Sequence, residues 1–153
     1  MGDYRKRVKQ GKEPKGNHIN QKGNPNQYYL LRPAWNFSGC DKEKWSLLAE
    51  KVREIFWKEI FPRFQCLETQ TWNEILIDAK KQNHSIEVTD LNKAAIDRLM
   101  ELCVEAESLL SLRVTATHRI YGYMKGGVFN ILWVDLDHGD NLTCVCRARK
   151  KRT

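Results

Sequence analysis

The stretch from Leu109 to Val134 constrains the fold of this chain more than any other. Leu110, Leu112 and Val114 alternate with Ser111, Arg113 and Thr115, the period-two pattern of a half-buried strand. Ala116-Thr117 supplies a short turn. In His118 to Met124, Ile120, Gly122 and Met124 then fall on one side and Arg119, Tyr121 and Tyr123 on the other. Lys125-Gly126-Gly127 is a tight hairpin signal, and Val128 to Val134 is apolar enough to be a central strand. Asp135 to Asn141 reads as a turn, and Leu142 to Arg147 as a further strand. A meander of this kind must bury one face, and only the upstream sequence can cover it.

That upstream sequence is helical. Asp41 is a candidate N-cap for a helix bearing Trp45, Leu48, Ala49, Val52, Ile55, Phe56 and Ile60, which Pro62 should stop or kink near Phe61. Thr71-Trp72-Asn73-Glu74 is a capping box that opens a helix to about Lys81. His84 to Val88 reads as a short extended segment. Thr89 or Asp90 should cap a third helix with Leu91, Ala94, Ala95, Leu99, Leu102 and Cys103 inward. Tyr28 to Leu31 begins an apolar patch, and Pro33 and Trp35 make an extended lead-in that can add a strand. The expectation is an α+β domain over residues 28–146, its N-terminal helices packed on one face of a C-terminal antiparallel sheet of three to four strands.

Outside that domain the composition changes. Residues 1–27 carry seven Lys or Arg against two acids and have no aliphatic period, so they read as a disordered basic arm. Residues 147–153 add five Lys or Arg and no acid. The formal charge of the whole chain is +7, so the stretch between the tails is net acidic. Basic tails attract phosphate backbones without reading sequence, and they also serve simply to keep a protein dissolved. No apolar run reaches the length of a membrane span and no secretory signal opens the chain, so a cytoplasmic protein without membrane contact is expected. Cys40, Cys66, Cys103, Cys144 and Cys146 do not make a paired zinc motif and read as reduced thiols, Cys103 as a small hydrophobe.

The strands carry unusual cargo. Arg119, Tyr121 and Tyr123 share a face, and Arg113 joins them if the register agrees. Two guanidiniums can hold a phosphate and offset the charge that builds on its oxygens. Tyrosines can stack on bases or move a proton, and His118 and His138 are the imidazoles nearest to hand. RNA needs no metal for cleavage by such groups, because its own 2′-hydroxyl is the nucleophile. Singly, each of these residues has a plainer use: strand tyrosines pack and strand arginines pair with acids. The turn Asp135, Asp137, His138 and Asp140 offers a rival, a divalent-cation site for metal-dependent phosphodiester hydrolysis, although acids at a strand exit are common turn residues.

The run Ser111 to Tyr121, S-L-R-V-T-A-T-H-R-I-Y, followed by a hairpin, the hydrophobic Val128 to Trp133 and then His138, resembles the core strands of the RelE/YoeB-type toxins of bacterial toxin–antitoxin systems. The resemblance covers about 30 residues. It implies helices followed by a small antiparallel sheet, and a metal-independent endoribonuclease acting on mRNA, typically in the ribosome, with no cofactor. It implies phosphate contact by Arg119 and Arg113, proton transfer by His138 or His118, assistance from Tyr121 or Tyr123, and an antitoxin protein as partner. The alternative of a different class is a non-catalytic nucleic-acid-binding module of a mobile element, held to RNA or DNA by the two basic tails. Substrate sequence and oligomeric state are left open by these residues.

Overall fold

The computed structural model describes residues 28–138 and residue 145. The basic arm, the C-terminal tail, Asp140, Cys144, Cys146 and, Val145 apart, the strand expected over Leu142 to Arg147 lie outside the described residues.

The domain is α+β, as expected, but its sheet has five strands and is mixed. The order is β1-β5-β4-β3-β2, with β1 Ala34–Asn36, β2 His84–Glu87, β3 Ser108–Arg113, β4 Arg119–Lys125 and β5 Val128–Asp135. The β3-β4-β5 meander follows the sequence pattern. Its hairpin turns on Gly126 and Gly127 at φ 60° and 83°, the doubly positive geometry that suits a two-residue turn and that side chains resist. The extended lead-in around Trp35 does form a strand, β1, and it runs parallel to β5. The short segment at His84 pairs antiparallel with β3 and closes the other edge.

Helices cover both faces, not one. On the first face lie α1 (Glu50–Ile55), a wider π-helical turn (Phe56–Ile60) and α2 (Phe61–Leu67). They bury Val52, Ile60, Phe64 and Leu67 against Leu110, Leu112, Ile120 and Ile131. On the second face lies α3 (Lys93–Glu101), which seats Ala95 and Leu99 on Leu109, Tyr121, Leu132 and Trp133. Each fully buried aliphatic or aromatic side chain contributes about 1.5–3 kcal/mol by leaving water. Two apolar layers explain why Leu109 to Leu112 is buried at every position: the strand is covered from above and below.

Three helix boundaries differ from expectation for identifiable reasons. Pro62 does not end the helix, which continues to Leu67. The preceding turn widens instead, with the Phe61 N–H reaching back five residues to the Phe56 carbonyl. A π-helical turn of this kind relieves the clash of a proline ring with the carbonyl one turn earlier. The cap of α3 is Asn92, whose Oδ1 accepts the Ala94 N–H at 3.0 Å, and not Thr89 or Asp90, which form a 3-10 turn. Cys103 lies beyond the end of α3 at φ 54° and is exposed, so it is no core hydrophobe.

Asp41 caps no helix, since α1 begins nine residues later. Its carboxylate is a buried junction. It accepts Arg98 Nε and Nη2 from α3, both at 2.8 Å, Trp133 Nε1 from β5 at 2.9 Å, and the backbone N–H groups of Glu43 and Lys44 at 2.9 and 3.1 Å. The Asp41 N–H donates to the carbonyl of Leu132, the residue that bulges between the pairs Tyr121–Trp133 and Gly122–Ile131. Beside that bulge Gly122 is obligatory: a Cβ there would lie 2.2 Å from the Asn130 carbonyl oxygen.

Burial by itself would raise the Asp41 carboxyl, but the hydrogen bonds from Arg98, the Glu43 N–H, Trp133 and the Lys44 N–H outweigh it and hold the group well below the usual carboxylate range. A carboxyl depressed on folding stabilises the fold above its unfolded value of about 3.9, and that contribution drains away as the pH falls below it. Asp41→Ala should therefore cost about 3–5 kcal/mol in urea unfolding at pH 7, because Arg98 and Trp133 lose a buried acceptor. The gap between variant and parent should narrow as the pH is lowered through 4.

Candidate functional site

Sheet register decides which side chains meet. Residues directly opposite across antiparallel strands share a face. Arg113, Arg119 and Asp135 stand in one row across β3, β4 and β5. The next row, one step into the sheet on the same face, is His84, Ser111, Tyr121 and Trp133. This is the α3 face, and α3 packs on its inner rows. The outermost row is a corner that brings Arg113, Arg119 and Asp135 side by side at the strand ends.

His138 completes the corner. Beyond β5 the chain folds back, and the His138 N–H donates to the Thr117 carbonyl at 3.0 Å, which sets the residue over the β3–β4 turn. The imidazole is half-buried. Burial lowers its pKa below the ordinary value, the charge of Arg119 lowers it further, and His84 and Arg113 act the same way, while Asp135 opposes them. Burial and the neighbouring cations together favour the neutral form of this imidazole.

The strand ends are held by side chains. The Arg113 N–H donates to Asn83 Oδ1 at 3.0 Å, and Asn83 Nδ2 donates to the Ile75 carbonyl at 3.2 Å. Arg63 of α2 donates through Nε to the Arg113 carbonyl at 2.9 Å. Both backbone groups of Arg113 are thus fixed, and its half-buried side chain starts from a rigid base. Arg119 is 8% exposed, and its Nη1 donates to the carbonyls of Thr115, Ala116 and His118, so part of this guanidinium clamps the β3–β4 turn. Asp135 is fully buried; it accepts the Asp137 N–H at 2.8 Å and the Val145 N–H at 3.0 Å. Its charge is spent on shaping the turn that carries His138.

The six residues singled out from sequence therefore do not form one open cluster. Arg113, Arg119 and His138 come together. Tyr121 shares their face but is 0% exposed beneath α3, so it cannot stack on a base. Tyr123 is four residues along β4 from Arg119, about 13 Å at strand rise, and packs against the same apolar layer. His118 projects to the opposite face, where its Nδ1 meets Glu59 Oε2 at 2.6 Å. His84 was missed because a four-residue polar strand carries no apolar period from which its facing can be read. Its alternation with Ile86, which packs under α3, is the signal once the edge is placed.

The rival cation site does not assemble. Among the described residues no three His, Cys, Asp or Glu side chains come close enough to share a metal ion, and both Asp135 oxygens already hold backbone N–H groups. A concavity of about 1810 Å³ is lined by Tyr28, Leu31, Val104–Ser108 and Tyr123–Gly126, and near the corner it reaches Asn83 and His84. No helix among the described residues is long and apolar enough to cross a membrane.

Comparison of the chain with protein-family models, with curated proteins and with solved structures finds no match.

One group in these rows is unspent. Ser111 Oγ is buried, the residue being 1% exposed, and has no hydrogen-bond partner among the described residues. A buried hydroxyl without a partner costs its desolvation, so Ser111→Ala should raise the unfolding free energy by about 1 kcal/mol. A loss of stability on chemical denaturation would mean that the hydroxyl is bonded.

Proposed function

We propose that the protein is a metal-independent endoribonuclease of the RelE-like type, acting on mRNA, with Arg113 and Arg119 gripping the scissile phosphate and His138 taking the proton of the attacking 2′-hydroxyl. The single observation that carries this reading is that Arg113 and Arg119 stand opposite each other at one corner of the sheet, close enough to His138 for both to act on its imidazole. Guanidiniums match the planar, dianionic demand of a phosphorane-like transition state, and an imidazole in its neutral form is a competent base. Helices followed by a β3-β4-β5 meander fit the plan that the resemblance implies; β1 and the second-face helix α3 are additions to it. An antitoxin protein laid over the basic corner is the corresponding partner.

Of the two arginines, Arg113 is the better probe, because Arg119 also holds its turn together. Arg113→Ala and His138→Ala should each lower cleavage of RNA, with or without added ribosomes, by about 10²–10⁴-fold while leaving the fold intact by circular dichroism. Activity should persist in EDTA, and the products should end in a 2′,3′-cyclic phosphate and a 5′-hydroxyl. Undiminished cleavage and growth arrest in the double variant would end this reading. Loss of RNA binding only on deletion of residues 1–27 and 147–153 would favour the non-catalytic module instead.

The pH profile carries a second check. Since the neutral form of His138 is the active one and its pKa is depressed, the acid limb of kcat/KM should fall below the ordinary imidazole value of about 6.5. Arg113→Ala removes one of the charges that depress it and should move that limb upward.

A further inference from the structure

Resting on the endoribonuclease reading, we infer that His84, on the edge strand β2, is the second proton-transferring residue of this corner and protonates the departing 5′-oxygen. Its placement follows from register. His84 lies directly opposite Ser111, and Ser111 is two residues before Arg113 on β3, so His84 shares the face of Arg113 and stands diagonal to it. His138 does not stay at the end of β5. Its backbone bond to Thr117 carries it back over the β3–β4 turn, toward β3 and away from the β1 edge. His84 thus stands on β2 beside Arg113, and His138 stands over the β3–β4 turn that joins Arg113 to Arg119, so the two imidazoles approach the arginines from different elements. Their mutual influence agrees, since His84 is one of the four groups whose charge acts on His138, with Arg113, Arg119 and Asp135. Those four face it from β2, β3, β4 and β5.

Exposure divides the work between the two rings. His138 is half-buried, whereas His84 is exposed. In the forward step the 2′-oxygen forms its bond to phosphorus as its proton passes to His138. The bond from phosphorus to the 5′-oxygen breaks, and that oxygen takes a proton from the His84 imidazolium. The products are a 2′,3′-cyclic phosphate and a 5′-hydroxyl; no metal, redox partner or added water enters the balance. Asn83 is a positioning residue for this arrangement. It is buried, it sets the start of β2, and through its Oδ1 it fixes the Arg113 backbone at the same time.

A substrate with sulfur in place of the bridging 5′-oxygen separates acid from base, because a thiolate leaves without being protonated. His84→Ala should cleave ordinary RNA about 10²–10⁴-fold more slowly than the parent protein, the usual worth of a general acid. On the 5′-thio substrate it should come within about 10-fold of the parent, while His138→Ala should remain slow on both. The exposed edge position allows substitution without loss of fold, to be verified by thermal unfolding. A His84→Ala variant at parental rate on ordinary RNA, or one whose deficit persists on the thio substrate, overturns the assignment while the endoribonuclease reading stands. A parent protein that leaves both substrates intact at every pH overturns the reading and this assignment together.

Discussion

The buried carboxylate of Asp41 is the interaction on which the rest of the arrangement hangs. Five donors from three parts of the chain converge on it: the guanidinium of Arg98 twice, the indole of Trp133, and two backbone N–H groups of its own turn. A lone carboxylate in that position would be expelled or neutralised, and the bidentate arginine is what makes it tolerable. The consequence is positional. Arg98 belongs to α3 and Trp133 to β5, so the junction fixes which face α3 covers and how far along the strands it lies. The backbone of the same segment feeds β5 directly, Asp41 to the Leu132 carbonyl and Trp45 from the Val134 N–H, continuing the edge that β1 begins.

Where α3 lies determines where chemistry can happen. The face bearing Arg119 and Tyr121 would be one continuous polar–aromatic surface if it were open. With α3 across its inner rows, Tyr121 and Trp133 become core, and in the strand-end row Asp135 and Arg119 are buried while Arg113 is half-buried. Strand ends are a natural place for this, because the ladder stops there and backbone groups need other partners. Here Asn83, Arg63, Asp135 and Arg119 supply them. The same side chains that satisfy the backbone thereby hold Arg113 and His138 in place.

The meander was legible because it rests on period-two alternation and a Gly-Gly turn, both local properties. Burial of Ile120 opposite Tyr121 followed from the same alternation. What alternation cannot tell is which face receives which helix. Helices on one face only was the simpler arrangement, and nothing in the amphipathic stripe of Leu91, Ala95 and Leu99 distinguishes one side of a sheet from the other. Long-range choices were hidden for the same reason. Asp41 reads as an N-cap because its nearest neighbours permit it, and it does accept the N–H groups of Glu43 and Lys44, but its side-chain partners lie 57 and 92 residues away. Pro62 reads as a helix stop because the widened turn that rescues it leaves no mark in the sequence. At the site, Arg113, Arg119 and His138 were found by residue type, and Tyr121, Tyr123 and His118 were carried along by it. Only register and the covering helix separate the two groups.

The corner also buries groups that packing alone would not select. Arg119 is held nearly out of water beside Arg113 and Asp135, the pKa of His138 is lowered by burial first and by Arg119 next, and the Ser111 hydroxyl in the adjoining row has no hydrogen-bond partner among the described residues. A row of Thr, Val and Ile would build the same sheet end without burying a charge. On the proposed endoribonuclease reading, a phosphate beside the arginines would raise the proton affinity of His138 at the moment a proton must be taken up. On that reading the corner would bind a phosphate most strongly where its negative charge is greatest, in the transition state.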